Sequence, residues 1–207
     1  MNIGIDVDEV LVEHLDAFLD YHNYTYGTKI QKKDMFSYSF GKVIGETEQD
    51  TRKKLLHFFK TDFFHNMKPI AGAREAIALL AREHQLSAIT ARPSVLLEQT
   101  EQLIATQFPY FSSVTLTNQW HGLGKKINKS EVCIEKKITI MVDDSLTHAL
   151  DCASRGIYVL LADFDYPWNQ ATDLPENIKR VHSWKQIVDE IDRYGRNKGR
   201  TRRAKKI

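Results

Sequence analysis

Apolar positions come in short runs broken by polar turns. Ile3, Ile5 and Val7 form the first run, which passes into Asp6 and Asp8 and then into the apolar segment Val10-Leu11-Val12. A buried strand ending in an acidic loop is the expected structure. Leu11, Leu15, Phe18, Leu19 and His22 then recur at helical spacing, which predicts an amphipathic helix to about Gly27. Between residues 28 and 68 the pattern is less regular. Phe36, Tyr38 and Phe40 alternate with serines in a strand-like period, while Thr47 with Asp50 reads as a helix start leading to Leu55, Leu56, Phe58 and Phe59.

From Pro69 onward strands and helices alternate. Helices are predicted over 73–83, 94–107, 129–136 and 145–155, and strands over 86–89, 114–116, 138–142 and 157–161, the last of these being the final core strand. A capping pair, Ser183 with Gln186, opens a closing helix, Trp184 to Tyr194, with Gly195 as its stop. Alternation of this kind predicts an α/β fold with a parallel, doubly wound sheet. Residues 1–12 and 69–195 are expected to form its core, and 13–68 a small, mainly helical insertion after the first strand.

Composition adds three points. With 207 residues and 42% hydrophobic content, a substantial core is available. The net charge of +2 hides an asymmetry: residues 196–207 hold seven Lys or Arg and no acid, so the remainder carries −5. That basic end is expected to be a disordered tail that could touch nucleic-acid phosphates, although no aromatic is interleaved in it to stack on bases. The two cysteines, Cys133 and Cys152, form no C-x-x-C pair, and no apolar run approaches membrane-spanning length. A soluble protein of the cytoplasm, without a signal peptide, is expected.

If the strands are parallel, their ends bring Asp6 and Asp8, Thr90, and Asp143 with Asp144 to one edge, and Lys129 opens the helix before the last acidic strand. D-x-D alone is weak, since Asp163-Phe164-Asp165 is another. Four carboxylates on one edge, however, demand a cation, and oxygen ligands favour a hard ion such as Mg²⁺. These parts suit phosphoryl transfer through an aspartate. Asp6 would attack phosphorus, and Asp8 would protonate the leaving alcohol and then activate water.

In these motifs, Asp6-Val7-Asp8-Glu9-Val10, Ile89-Thr90, Lys129 and Val142-Asp143-Asp144, the chain resembles the haloacid dehalogenase superfamily of phosphatases over roughly residues 1–190. The resemblance implies a Rossmann-like core with the 13–68 insertion as its cap. It also implies Asp6 as nucleophile, Asp8 as general acid/base, and Thr90 and Lys129 as ligands of the phosphate oxygens. Mg²⁺ would be held by Asp6, the Asp8 main-chain carbonyl and Asp144, with Asp143 beside them. Lys125 and Lys126 compete with Lys129 for the phosphate, and Lys129 is preferred for its place at a helix start, fourteen residues before Asp143.

Within that superfamily the chain looks most like the 5′(3′)-deoxyribonucleotidase group. Tyr26-Gly27, Pro69-Ile70-Ala71-Gly72-Ala73, the Asp143-Asp144 doublet, Tyr166-Pro167-Trp168-Asn169, Val181 and Trp184 carry that likeness. It departs from the group at Thr90-Ala91-Arg92, where proline more often follows the small residue, and at Glu9, which replaces a glycine. The implied substrate is a small phosphorylated molecule, a (deoxy)nucleoside monophosphate, with Phe18, Phe36, Tyr38 and Arg92 as candidate contacts. The alternatives are another small phosphoester, a nucleic-acid end, or a non-catalytic nucleic-acid-binding protein that uses the basic tail.

Overall fold

The computed structural model describes residues 1–37, 40–119, 125–164, 166, 169 and 171–204, with backbone alone over 198–204. The elements run β1 (Asn2–Ile5), α1 (His14–Tyr26), a 3-10 turn (Lys32–Asp34), α2 (Phe40–Ile44), α3 (Glu48–Phe58), α4 (Asp62–His65), α5 (Ala73–Leu80) and β2 (Gln85–Thr90). After a 3-10 turn at Ser94–Leu96 come α6 (Leu97–Gln107), β3 (Ser113–Leu116), α7 (Lys129–Glu135), β4 (Ile140–Asp143), α8 (Leu146–Ser154), β5 (Tyr158–Ala162), β6 (Ile178–Val181) and α9 (Trp184–Ala204). Among the described residues six strands form one sheet in the order β3-β2-β1-β4-β5-β6, with each neighbouring pair parallel. The fold is a Rossmann-like doubly wound α/β sheet, as its alternating pattern predicts.

The chain winds outward from β1 in both directions, so the strand order reverses between β1 and β4. A crevice opens beyond the strand ends at such a reversal. β1 can occupy the centre because both of its faces are covered: Ile3 and Ile5 are fully buried on one, and on the other Gly4 is packed so closely that a Cβ there would stand 2.8 Å from Met141 Sδ. Two contacts from the far end of the chain brace the loop that follows. Trp184 Nε1 donates to the Val10 carbonyl at 3.0 Å, and the Tyr166 hydroxyl donates to the Glu9 carbonyl at 2.8 Å.

Helices α1 to α4 assemble around aromatic rings. Phe18 meets Phe40 edge-on at 4.6 Å and Phe58 at 5.2 Å between centroids, and Phe58 meets Phe64 at 5.5 Å. Thr47 caps α3 by accepting a hydrogen bond from the Asp50 amide, as its spacing predicts.

Three expectations need correction. The Phe36–Phe40 segment is not a strand: the described residues there form a bend leading into α2, and Tyr38 lies outside the described residues. Three alternating aromatics are too few to outweigh a helical context. The strand over 158–162 is not the last, because β6 pairs alongside it in parallel. Lys179 and Arg180 between Ile178 and Val181 masked that edge strand. Helix α9 does not stop at Gly195 but continues to Ala204, across residues expected to be an unstructured tail. Glycine ends a helix by turning left-handed, as Gly156 does after α8 at φ 77°; Gly195 is not among the residues of positive φ. Among the described residues no helix is long and apolar enough to cross a membrane.

Candidate active site

Asp6 follows β1 directly, and its amide bonds to the Val142 carbonyl at 2.9 Å, so the β1–β4 pairing carries on into the acidic loop. Asp143 ends β4, and Asp144 follows it. Oxygen atoms of Asp6, Asp143 and Asp144 lie within 4.8 Å of one another, and all three residues are buried. Lys129, the first residue of α7, enters this cluster with its side chain fully buried. Its ammonium is 2.8 Å from Asp6 Oδ2 and 2.7 Å from Asp143 Oδ2. Lys125 and Lys126 are exposed.

The three carboxylates differ in their electrostatics. Burial, opposed by Lys129 and aided by Asp143, raises Asp6 to about 6. Burial pushes Asp143 upward too, but Lys129 and His148 outweigh it and hold the group at about 2. Asp143 Oδ1 also accepts from the Ser145 amide at 2.9 Å. Asp144 has neither oxygen in a hydrogen bond, and burial together with Asp6 and Asp143 lifts it well above the usual carboxylate range. Its main-chain carbonyl is held by Asn169 Nδ2 at 2.7 Å. Buried polar atoms without partners are rare and need a reason. Three carboxylates against one ammonium leave two negative charges, which one divalent cation would balance. The donor set, all oxygen, fits a hard ion.

Asp8 points elsewhere. Arg92 grips it with two nitrogens: Nε is 2.9 Å from Oδ2 and Nη2 is 2.6 Å from Oδ1. Burial would raise the Asp8 carboxyl, but Arg92 outweighs that and lowers it. Arg92, an expected substrate contact, thus spends its fork on Asp8, and its Nη1 donates to Thr100 Oγ1 at 3.1 Å. Thr90 ends β2, buried, with its hydroxyl oxygen accepting from the Arg92 amide at 3.2 Å.

A cavity of about 410 Å³ lies above Asp6, Asp8 and Thr90, walled by Leu15, Phe18, Met35, Phe40 and Leu55 from the insertion. Phe18 is therefore at the site. Phe36 is not among the lining residues and is 68% exposed. His14 and Glu9 also line the cavity, and neither was among the candidate site residues. Nothing in the pattern singled out His14. Glu9 did leave a sign, since it stands where the resembled group has glycine, and its φ is 57°. Glu9 Oε1 accepts from the Leu15 amide at 2.6 Å, its Oε2 is 3.8 Å from Lys32 Nζ, and burial raises it to about 7.

Known proteins resemble this chain in sequence and in fold. The family model "5' nucleotidase, deoxy (Pyrimidine), cytosolic type C protein" matches residues 1–196. The candidate nucleotidase YqfW of Bacillus subtilis is 26% identical over 189 residues, covering 91% of this chain and 92% of that protein. Among solved structures, a haloacid dehalogenase-like family hydrolase of Streptococcus pneumoniae superposes with a TM-score of 0.66 at 10% identity, covering 92% of this chain and 97% of that one. The candidate HAD-hydrolase YfnB of Bacillus subtilis, solved bound to magnesium, gives 0.58 at 14% identity, covering 90% and 96%.

Proposed function

Because the chain belongs to the cytosolic type C 5′-nucleotidase family, and is thereby a phosphatase of the haloacid dehalogenase superfamily, we propose that it is a magnesium-dependent hydrolase of (deoxy)nucleoside monophosphates working through an aspartyl-phosphate. The observation that carries this reading is the buried cluster of Asp6, Asp143 and Asp144 around Lys129, one divalent charge short of neutrality.

In this reading a carboxylate oxygen of Asp6 attacks phosphorus while Asp8 gives a proton to the departing alcohol oxygen. Asp8 then takes a proton from water, whose oxygen attacks the aspartyl-phosphate; the phosphorus–Asp6 bond breaks, and phosphate leaves with Asp6 restored. Asp8 is a carboxylate beside Arg92, the form that the second step uses. An arriving phosphate dianion raises its proton affinity for the first. The Thr90 hydroxyl and the Lys129 ammonium donate to the phosphoryl oxygens. Asp6, Asp144 and the Asp8 carbonyl would hold magnesium, with Asp143 behind them, and the ion would offset charge on those oxygens. Residues 13–68 serve as the cap over a core of 1–12 and 69–195, and their apolar wall excludes water. Nothing in the comparisons supports a nucleic-acid partner for the basic end.

The test is phosphate release from 5′- and 3′-nucleotides, sugar phosphates and an aryl phosphate, with magnesium and with EDTA, and with Asp6→Asn as control. Nucleotides should lead by about tenfold or more, roughly 1.4 kcal/mol of transition-state discrimination. No magnesium-dependent release from any of them would overturn the proposal.

A further inference from the structure

The aspartyl-phosphate reading leaves Arg92 without a part. It is 1% exposed, so its charge is placed inside the protein at a cost that its contacts must offset. Two of its three side-chain nitrogens go to Asp8. Both Asp8 oxygens are engaged by separate nitrogens, Nε at 2.9 Å and Nη2 at 2.6 Å. The third nitrogen is tied to Thr100 Oγ1 at 3.1 Å, and that hydroxyl is itself committed to the Leu96 carbonyl at 2.7 Å. The backbone is pinned as well, since the Arg92 amide donates to Thr90 Oγ1 at 3.2 Å and its carbonyl accepts from the Asn118 amide at 3.1 Å. From the insertion, the ring of Phe64 lies 5.0 Å from the guanidinium carbon.

A carboxylate at the end of a loop can rotate about both of its side-chain bonds. One held by a planar fork cannot, and a point charge such as lysine would leave one rotation free. Lys129 provides no such hold, because its ammonium is directed to Asp6 and Asp143. We propose that Arg92 is the positioning residue for Asp8, setting the carboxylate in the orientation from which it exchanges a proton with the leaving alcohol and with water. The two cations then divide the work: Lys129 serves Asp6, and Arg92 serves Asp8.

This rests on the aspartyl-phosphate reading, and its test separates the two. Transient kinetics are measured on the magnesium-loaded full chain with two substrates. One is a nucleoside 5′-monophosphate, whose alkoxide must be protonated to leave; the other is nitrophenyl phosphate, whose leaving group needs no proton. Arg92→Lys should slow the first release of nucleoside about 100-fold. The nitrophenol burst should keep its rate constant within about twofold, followed by a slowed steady state. Asp8→Asn should show the same signature, and adding Arg92→Lys to it should cost nothing further. Thr100→Val, which loosens the fork without removing it, should shift the same ratio by less.

An equal loss on both substrates, or losses from Arg92→Lys and Asp8→Asn that simply multiply, would make Arg92 a support of the fold and overturn the inference while the reading stands. A burst that persists in Asp6→Asn would overturn the reading and the inference with it.

Discussion

The Tyr166 hydroxyl donates to the main-chain carbonyl of Glu9 at 2.8 Å, and both groups are buried. A residue beyond β5 therefore fixes the loop that presents Asp6 and Asp8. Tyr166→Phe removes the donor, keeps the ring and leaves a buried carbonyl short of one partner. The expected cost is about 1–3 kcal/mol, seen as a lower urea midpoint with an unchanged slope.

Lys129 is the cation between Asp6 and Asp143, and its removal leaves two buried carboxylates facing each other. Lys129→Met should destabilise the fold by about 3–5 kcal/mol and reduce phosphate release to background. Arginine at this position should not rescue turnover, because a planar fork cannot replace a point charge in so closed a space. Denaturant titration and a phosphate assay on the two variants check both statements.

The pH dependence of the metal-free protein follows from opposing shifts. Asp6 rises from 3.8 to about 6 and Glu9 from 4.5 to about 7. Groups that hold protons more tightly when folded stabilise the fold at low pH, and that contribution is lost as pH climbs through the folded value. Asp143 has the opposite sign: its contribution is present above 3.8 and disappears as pH falls toward about 2. In EDTA the Asp6 and Glu9 contributions should therefore lower the thermal midpoint between pH 3.8 and about 7, against an opposite contribution from His14, His22 and His84, which burial lowers from 6.5. Magnesium should remove most of that slope by favouring the ionised cluster. Glu9→Gln should flatten its upper part, which differential scanning calorimetry across pH would show.

Phe18 and Phe36 looked alike as candidates and are placed very differently. Phe18 is 2% exposed between Phe40 and Phe58, whereas Phe36 is 68% exposed. Phe18→Ala should cost about 3–5 kcal/mol and weaken substrate binding through the lost wall. Phe36→Ala should stay within about 0.5 kcal/mol of the parent with an unchanged KM. Denaturation and steady-state kinetics on both variants decide the matter.

What could be read ahead of the structure was whatever interrupts a simple pattern. Asp6, Thr90 and the Asp143-Asp144 doublet announce themselves because each ends an apolar run, and parallel strands bring such ends together. Lys129 was legible from its place at a helix start. The Arg92–Asp8 pair was not, since it joins residues 84 positions apart and periodicity says nothing of which buried side chains meet. Edge strand β6 was hidden because Lys179 and Arg180 face partly outward and break its apolar run. The aromatics of 28–68 show how residue type fails: a phenylalanine in a loop carries no mark of whether its ring turns inward.

The central place of β1 also sets a timetable. The ribosome delivers Asp6 and Asp8 well before the strands on either side of them, which begin only at Gln85 and Ile140. At roughly 5–20 residues per second, the wait between Asp6 and Asp143 is on the order of ten seconds. Until β4 is made, the emerging chain carries a strand with an unpaired side, and Asp6 lacks the Asp143-Asp144 pair beside it. A chain ended before β4 should therefore release no phosphate, and a nascent one is most open to edge-to-edge pairing while β1 awaits its neighbours.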